Sequence, residues 1–471
     1  MSQTRIPPTA AVPESARKSL HQGLKQRHVA MLGLGGAIGA GLFVGSGGGI
    51  AVAGPGIIVS YLLAGALAML VMRMLGEMSS AMPSSGSFSV HAERALGRWA
   101  GFTVGWLYWL LLVVVLAVEA TAAAKIANGW LPAVPPWAWV LLFIALFTAS
   151  NLSAVRNFGE FEFWFAAVKV FAIVAFLVLS GLAVFGMLPD SKPVGLANLT
   201  GHGGFLPNGW QGVVSGVLAV VFAFGGLEML TIAAAETDDP ARAVGRAVRT
   251  AVWRILLFYI GSMLLMVTLL PWTSFKPGES PYVAVLDAIG VGSAGQLMNV
   301  VVFAALLSAL NANLYSSSRM IFSLAERGEA PQGLLKVSGS GAPQRAVLAS
   351  VAFGFVSVVL NLLWPETVFM CMLNAVGAIL LFTWALIALS QLRLRRRLEH
   401  EAPETLTLRM WCFPYLTWVA LAGMAVVLVL MLTDEGSRPQ ILWSGGTTAV
   451  LLAVAWFRER RASPKPGDTD F

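Results

Sequence analysis

The stretch GLGGAIGAGLFVGSGGG, residues 33–49, holds nine glycines in 17 residues, and most of the residues between them are apolar. Glycine costs a helix about 1 kcal/mol relative to alanine, so a plain apolar helix gains nothing from this composition. One explanation is close packing of helices, because Gly35 and Gly39, like Gly41 and Gly45, have GxxxG spacing. The other is a deliberate interruption of the helix. A phosphate-binding loop is excluded, because the stretch satisfies neither GxxxxGKS/T nor GxGxxG.

The composition of the whole chain is that of a membrane protein. Of its 471 residues, 57% are hydrophobic and 12% are charged, and the mean hydropathy is +0.75. A soluble domain carries about 25% charged residues, so this chain cannot cover a surface that faces water. The two cysteines, Cys371 and Cys412, are far apart in sequence and indicate neither a disulfide framework nor a metal site. We expect no cofactor.

Apolar segments long enough for a bilayer recur along the chain. A hydrocarbon core of about 30 Å needs about 20 apolar residues per helix. The sequence therefore predicts an all-α membrane protein with 12 transmembrane helices, at 29–49, 55–80, 100–126, 137–153, 161–186, 209–234, 250–271, 291–325, 346–364, 367–392, 410–432 and 440–457.

The positions of Lys and Arg predict the orientation of these helices. With the N-terminus in the cytoplasm, 23 of the 31 basic residues fall in inner loops and tails, and four fall in outer loops. Such an excess is typical of cytoplasmic loops, so both termini are expected to be cytoplasmic. The predicted organisation is a cytoplasmic tail over 1–28, a transmembrane domain over 29–458 and a second cytoplasmic tail over 459–471. Topology explains the arginine runs, which give no reason to expect nucleic-acid binding.

A second interruption is expected one repeat later. Segment 6 contains FAFGGLE, 222–228, in which Gly225 and Gly226 lie mid-segment and are followed by Glu228. Within a membrane, non-helical backbone is tolerated only where it lines a cavity or is buried in protein. Exposed amides at the start of a half-helix bind a carboxylate, and free carbonyls at the end of one bind a cation such as an ammonium. Two interrupted helices in corresponding positions therefore indicate a transport site.

Several motifs, in order along nearly the whole chain, resemble the amino-acid transporter family of the amino acid–polyamine–organocation superfamily. They are RHVAMLGLGGAIGAGLFVGSG (27–47), MRMLGEM (72–78), GSFS (86–89), GEFEFW (159–164), FAFGGLE (222–228), SRM (318–320) and RGEAP (327–331). Other stretches are similar to bacterial γ-aminobutyrate permeases: RWAGFTVGWLYW (98–109), TIAAAET (231–237), SQLRLR (390–395) and LRMWCFPYLTW (408–418).

This resemblance implies two inverted five-helix repeats, segments 1–5 and 6–10, with segments 1 and 6 broken and two further helices at the C-terminus. It implies that amides of Gly39, Ala40 and Gly41 bind the substrate carboxylate. Carbonyls of Ala37, Phe222 and Gly225 would accept from the substrate amine, and Phe222 would cover the substrate. The implied substrate-binding residues are Ala37, Ile38, Gly39, Ala40, Gly41, Glu119, Phe222, Phe224, Gly225 and Gly226.

Lys169 lies nine residues past Glu160, roughly 13 Å into segment 5. Its ammonium either snorkels to the cytoplasmic face or, as the resemblance implies, replaces the sodium ion that related transporters hold. In the second case Ser308 and Asn311 of segment 8 would accept hydrogen bonds from Lys169. The residues expected to carry proton coupling are Lys169, Glu228, Ser308 and Asn311.

Two other acidic residues within the segments, Glu228 and Glu119, have two explanations each. Glu228 is a proton-linked gate, as the resemblance implies, or a structural hydrogen-bonding group. Glu119 pairs with Lys125 at the headgroup level, or it selects the substrate amine. Glu77 and Arg73 are expected to form an ion pair one turn apart. The acidic residues at the inner end of segment 6 are expected to form gate salt bridges; they are Glu236, Asp238 and Asp239.

Together these features predict a proton-coupled amino-acid permease of a bacterial inner membrane, which works by alternating access. Its expected partners are an amino acid, protons and the lipid bilayer, and the sequence does not determine an oligomeric state. γ-Aminobutyrate or a similar amino acid is the favoured substrate. A permease for neutral or aromatic α-amino acids is the next alternative, followed by an amino-acid antiporter. A membrane-embedded receptor or enzyme is not supported, because the sequence has no nucleophile–base constellation, metal-ligand cluster or extramembrane domain.

Overall fold

The computed structural model of the chain contains helices and connecting segments, and no strand, among the residues it describes, which are 38–84, 87–153, 158–189, 193–229, 231, 240–291, 293–338, 342–364, 367–433, 435 and 438–461. Its α-helices are α1 Ser46–Ala53, α2 Ile57–Ala81, α3 Ser87–Leu96, α4 Arg98–Trp130, α5 Pro136–Ser153, α6 Phe158–Val184, α7 Ala197–Thr200, α8 Gly209–Val221, α9 Pro240–Arg254, α10 Gly261–Leu269, α11 Pro281–Ala288, α12 Ala294–Glu326, α13 Gln344–Leu363, α14 Val368–Glu401, α15 Tyr415–Thr433 and α16 Arg438–Arg461. The prediction of an all-α membrane fold is confirmed for these residues.

Nine helical runs among the described residues are long and apolar enough to cross a membrane, and two shorter apolar helices accompany them, Pro136–Leu152 and Gly209–Phe224. Each of the twelve predicted segments overlaps one of these eleven elements. The first two segments share a single run, Gly41–Ala81. We predicted an end at residue 49, but the helix continues to Ala53 and then turns through a 3₁₀ helix over Gly54–Gly56. Gly54 permits this tight turn because its φ is +60°.

The helix α4 forms the centre of the molecule. It packs against α12, α3, α14, α5, α16 and α13, and almost every residue over its middle two-thirds is buried. A helix that is hydrophobic around its whole circumference has to be surrounded by protein or lipid, and here the surrounding helices provide that cover. The core of α4 therefore places Tyr108 and Glu119 in the interior of the bundle.

Among the described residues, two stretches of π-helix interrupt the regular geometry, at Gly41–Gly45 before α1 and at Ile255–Ile260 between α9 and α10. A π-turn is often found at a functional site in a membrane or soluble helix. The first lies directly beside the predicted substrate-binding backbone.

Candidate functional site

The helix of segment 6 ends at the paired glycines. After α8, a 3₁₀ turn covers Phe222–Phe224, and Gly225 is extended with ψ 147°. Gly226 has φ +87°, a conformation that side chains with a Cβ rarely adopt. Its amide donates a hydrogen bond to Glu228 Oε2 at 3.0 Å. The backbone is therefore non-helical at Gly225 and Gly226, where the sequence places two glycines inside an apolar segment.

The described part of segment 1 begins with non-helical backbone at Ile38 and Gly39, and the helix starts at Ala40. Ala37 lies outside the described residues. The amide of Ala40 donates to both carboxylate oxygens of Glu119, at 3.0 and 3.1 Å. A Cβ on Gly39 would lie 2.3 Å from Glu119 Oε1, so only glycine allows this approach.

The structure does not place Glu119 at the headgroup level in a pair with Lys125. The side chain of Glu119 is 3% exposed and reaches the start of the segment 1 helix. Lys125 is exposed, and its ammonium lies beside Gly278.

The two interrupted helices touch each other. A Cβ on Gly41 would lie 2.7 Å from the Cα of Ala223 and 2.9 Å from the ring of Phe222. Beside this contact lies a cavity of about 30 Å³, a volume that suits a water molecule or two rather than an amino acid. The cavity is lined by Gly41, Leu111, Leu112, Val115, Glu119, Phe222, Ala223, Gly225, Gly226, Met229, Ala309, Ala312 and Asn313.

The structure thus brings five predicted site residues to one cavity: Gly41, Glu119, Phe222, Gly225 and Gly226. Phe224 does not line it. Its ring instead stacks on Tyr259, with ring centroids 5.1 Å apart, and meets Tyr61 edge-on. Because the two phenylalanines of FAF are two residues apart on a 3₁₀ turn, they point in different directions, and only Phe222 reaches the cavity.

Asn313 lines the cavity and was not predicted. Its side-chain amide donates to the carbonyl of Ala309 at 2.7 Å, so its side-chain oxygen is the group left to meet a ligand. The stretch SALNANLYSSS contains it, but Asn311, two residues earlier, lies on a different side of α12. Asn311 accepts a hydrogen bond from Asn151 at 2.8 Å.

Lys169 does not snorkel, because its side chain is 1% exposed. Its ammonium lies 3.8 Å from Glu162 Oε1 on the same helix, α6, and it interacts electrostatically with Glu119 and Arg254. Ser308 Oγ donates to both oxygens of Glu162, at 2.9 and 3.0 Å. Ser308 is therefore linked to Lys169 through Glu162, a residue that sequence analysis missed although its spacing of seven residues puts it on the same helix face.

Glu228 is fully buried and connects the segment 6 interruption to two neighbouring helices. Besides the amide of Gly226, it accepts a hydrogen bond from the indole of Trp384 on α14, and the hydroxyl of Tyr108 on α4 lies 3.5 Å from Oε2. Nothing in the sequence singled out Trp384 or Tyr108 as partners of this carboxyl.

The predicted ion pair between Glu77 and Arg73 is wrong. Glu77 is buried and pairs with Arg395 of α14 at 2.6 Å, and it also accepts from Gln391 and from the amide of Met410. Arg73 instead donates to a backbone carbonyl and lies over the ring of Trp411. A long-range partner on another helix displaces the local one, which sequence spacing alone cannot reveal. The other predicted gate residues lie outside the described residues: Glu236, Asp238 and Asp239.

A second cluster of charges follows the end of α12. Arg327 lies 3.0 Å from Glu93 Oε2 and 3.2 Å from Glu329 Oε2, and Arg458 donates to the carbonyls of Gly328 and Glu329. Burial raises the pKa of Glu329 to about 7; the charge of Arg327 opposes this shift, and that of Glu93 adds to it. This carboxyl therefore changes charge near neutral pH.

A metal-binding group of three or more His, Cys, Asp or Glu side chains is not found among the residues that the structure describes. The polar groups at the cavity are backbone amides and carbonyls, one carboxylate and one side-chain amide. That set suits an organic zwitterion, whose carboxylate takes N–H donors and whose ammonium takes oxygens.

Comparison with known proteins places this arrangement in a family. The amino acid permease family profile matches residues 28–457. The gamma-aminobutyric acid permease of Bacillus subtilis is 47% identical over 451 residues, which cover 96% of each chain. The aromatic amino acid transport protein of Corynebacterium glutamicum is 47% identical over 430 residues, 90% of this chain and 92% of that protein. The gamma-aminobutyric acid permease of Escherichia coli is 44% identical over 435 residues, 92% of each chain.

Among solved structures, a manganese transporter of Eremococcus coleocola has a similar fold. The TM-score is 0.56, the alignment covers 95% of each chain, and 13% of the aligned residues are identical. At that identity the likeness concerns the fold alone.

Proposed function

Because this chain belongs to the amino acid permease family and is an amino-acid permease, we propose that it imports γ-aminobutyrate or a similar amino acid together with protons, by alternating access. The observation that carries the proposal is the cavity between the two interrupted helices, with Glu119 on one side and the carbonyls around Gly225 on the other. Relatives named for γ-aminobutyrate, at 47% and 44% identity, support this choice of substrate.

The proposed architecture is twelve crossings, with two inverted five-helix repeats and two C-terminal helices. The overlap of every predicted segment with a described apolar helix supports the count, and the excess of Lys and Arg in the inner loops supports cytoplasmic termini. Residues 1–28 and 459–471 are cytoplasmic tails, and 29–458 form the transport domain. Bacterial relatives support a place in the bacterial inner membrane. The chain moves solute and performs no covalent chemistry.

In this proposal the substrate lies between the two interruptions. Amides of Gly39, Ala40 and Gly41 receive its carboxylate, and the carbonyls of Phe222 and Gly225 receive its ammonium. Ala37, Ile38 and Gly226 complete the backbone of the site, and the ring of Phe222 covers it. The observed cavity holds a water molecule or two, so the broken helices have to separate for an amino acid to enter.

Proton coupling is assigned to the buried charges beside this site. Lys169 replaces a coupling cation, and Glu162 with Ser308 stabilises its ammonium. Glu228 joins the segment 6 interruption to α4 and α14, so a change in its charge acts on three elements together. Asn311 acts through the hydrogen bond that it accepts from Asn151 of α5 rather than through Lys169.

A permease for aromatic or neutral α-amino acids is the second candidate. The aromatic amino acid transport protein of Corynebacterium glutamicum supports it, because its 47% identity equals that of the gamma-aminobutyric acid permease of Bacillus subtilis. The apolar wall of the cavity, Leu111, Leu112, Val115 and Met229, suits either the three methylenes of γ-aminobutyrate or an aromatic ring. Exchange of one amino acid for another is the third candidate.

The test is uptake by the purified chain in liposomes. A panel of labelled amino acids, including γ-aminobutyrate, phenylalanine and leucine, is supplied with and without an inside-alkaline gradient. We expect γ-aminobutyrate to accumulate above its equilibrium level only with the gradient. Uptake that requires amino acid inside the liposomes and does not depend on the gradient would show that the chain exchanges amino acids instead of importing them with protons. If no solute moved, the proposal of transport would be refuted.

A further inference from the structure

Glu119 makes an unusual contact for a residue expected to bind an ammonium. Both of its carboxylate oxygens accept from the amide of Ala40, at 3.0 and 3.1 Å. Ala40 begins the helix that follows the first interruption. An amide at the start of a helix is a donor that favours negative charge, and the proposed function gives this same amide to the substrate carboxylate.

The local packing keeps the carboxylate in this place. Glu119 is 3% exposed, and the absence of a Cβ on Gly39 leaves room for it, since a Cβ there would lie 2.3 Å from Oε1 and 2.9 Å from Cδ. Ala309 of α12 closes the other side, 3.0 Å from the same Cβ position. The contact is thus a built feature of three elements, α4, α12 and the start of segment 1.

We propose that Glu119 is a resident competitor of the substrate: its side-chain carboxylate occupies the Ala40 amide, and a substrate carboxylate obtains that amide only by displacing it. This inference rests on the proposed function. It adds a step that the predicted amine-selecting role of Glu119 lacks, because binding begins with an exchange of one carboxylate for another on the same donor.

The exchange makes the amino group of the substrate a requirement. A displaced Glu119 remains on the wall of the cavity, buried and without the amide hydrogen bond that its oxygens had accepted. A buried polar group that loses its hydrogen-bond partner is unfavourable, and the substrate ammonium supplies a new donor. A carboxylate that lacks an amine, such as butyrate, offers no such donor and leaves Glu119 without one. The chain therefore selects zwitterions and excludes monocarboxylates of the same length.

Two matched ligand pairs test the inference. They are γ-aminobutyrate with butyrate, and phenylalanine with 3-phenylpropionate, so that both candidate substrate classes are covered. Binding to the purified full chain is measured as ligand-dependent thermal stabilisation, and inhibition of labelled uptake gives a second readout. The variant is Glu119→Gln, which keeps the shape but removes the charge. Glu329→Gln is the control, because it removes a carboxyl that is 5% exposed, pairs with Arg327 and does not touch the amide of Ala40.

For the wild type we expect stabilisation by the zwitterion of one pair and none by its deaminated partner. In Glu119→Gln the deaminated acid should gain about tenfold in affinity while the zwitterion loses affinity, because the neutral side chain is the weaker acceptor on the amide and needs no cationic partner. Glu329→Gln should leave the ratio of the two affinities unchanged. A purely structural role for Glu119 would lower both affinities alike.

If zwitterions are transported and the affinity ratio in Glu119→Gln equals that of the wild type, the inference is refuted and the proposed function stands. If no ligand stabilises or inhibits the wild type and no amino acid is taken up, the proposed function fails and the inference fails with it. Should Glu119→Gln not fold, Glu119→Ala, which removes the competitor entirely, carries the same expectation for the deaminated acid.

Discussion

Replacing Gly41 by alanine tests whether transport depends on contact between the two interrupted helices. The added Cβ would lie 2.7 Å from the Cα of Ala223 and 2.9 Å from the ring of Phe222. The first of these atoms is backbone and cannot rotate away. Ordinary contact begins at 3.4 Å, so the two elements have to separate by about 0.7 Å, an overpacking that typically costs 1–3 kcal/mol.

That cost falls only on conformations in which the interruptions touch. A bias of about 1–3 kcal/mol lowers the population of such conformations about 5- to 150-fold. We expect the initial rate of γ-aminobutyrate uptake by Gly41→Ala in liposomes to fall by a factor in this range. The purified variant should remain folded, because the helices can separate at this point without exposing the core around α4.

Gly45→Ala is the matched control. It lies one turn further along, and its added Cβ would meet Ala40 and Leu373 at 3.5 Å, which is ordinary contact. It should transport like the wild type, with a stability that is unchanged or raised by about 0.5–1 kcal/mol through better helix propensity. Equal uptake by the Gly41 and Gly45 variants would show that transport does not pass through the contact between the two interruptions.

Two further predictions concern buried charges. Lys169→Met leaves Glu162 buried without its cation, so it should lower the free energy of unfolding by about 3–5 kcal/mol and abolish gradient-driven uptake. Adding Glu162→Gln should restore much of the stability but not the uptake. A double variant that is no more stable than Lys169→Met would contradict the pairing of the two residues. Because burial raises the pKa of Glu329 to about 7, the folded chain holds a proton that the unfolded chain releases near its ordinary pKa, so stability should fall as pH rises from about 4.5 to 7. Thermal midpoints across this range should fall less steeply in Glu329→Gln, and parallel profiles would contradict the shift.

Local chemistry was sufficient to predict the helices and one of their interruptions. Apolar runs of about 20 residues have few alternatives to a membrane helix, and Gly226 allows the positive φ of the second interruption. The join of the first two segments was harder, because Gly54 turns the chain within an apolar stretch that gives no polar signal. Pro207, which is distant in sequence, packs against this turn.

The partners of the buried charges could not be predicted, because they come from distant elements. Glu77 and Arg395 are 318 residues apart, and Glu119 and Ala40 are 79 apart. Sequence spacing favours the local pair on one helix, whereas packing decides which remote group reaches each carboxylate first. The exception is Glu162, whose position two turns before Lys169 on α6 was visible in the sequence.

The π-turn over Gly41–Gly45 has a consequence for the amide at its head. A π-turn contains more residues than an α-turn, so tightening it into α geometry would rotate the preceding backbone by about 100° per residue gained and shift it along the axis by about 1.5 Å. Ala40 would swing with it, and its N–H would leave the carboxylate of Glu119. The π-turn thus fixes the rotation of the start of this helix, and that rotation decides which anion the amide of Ala40 can reach.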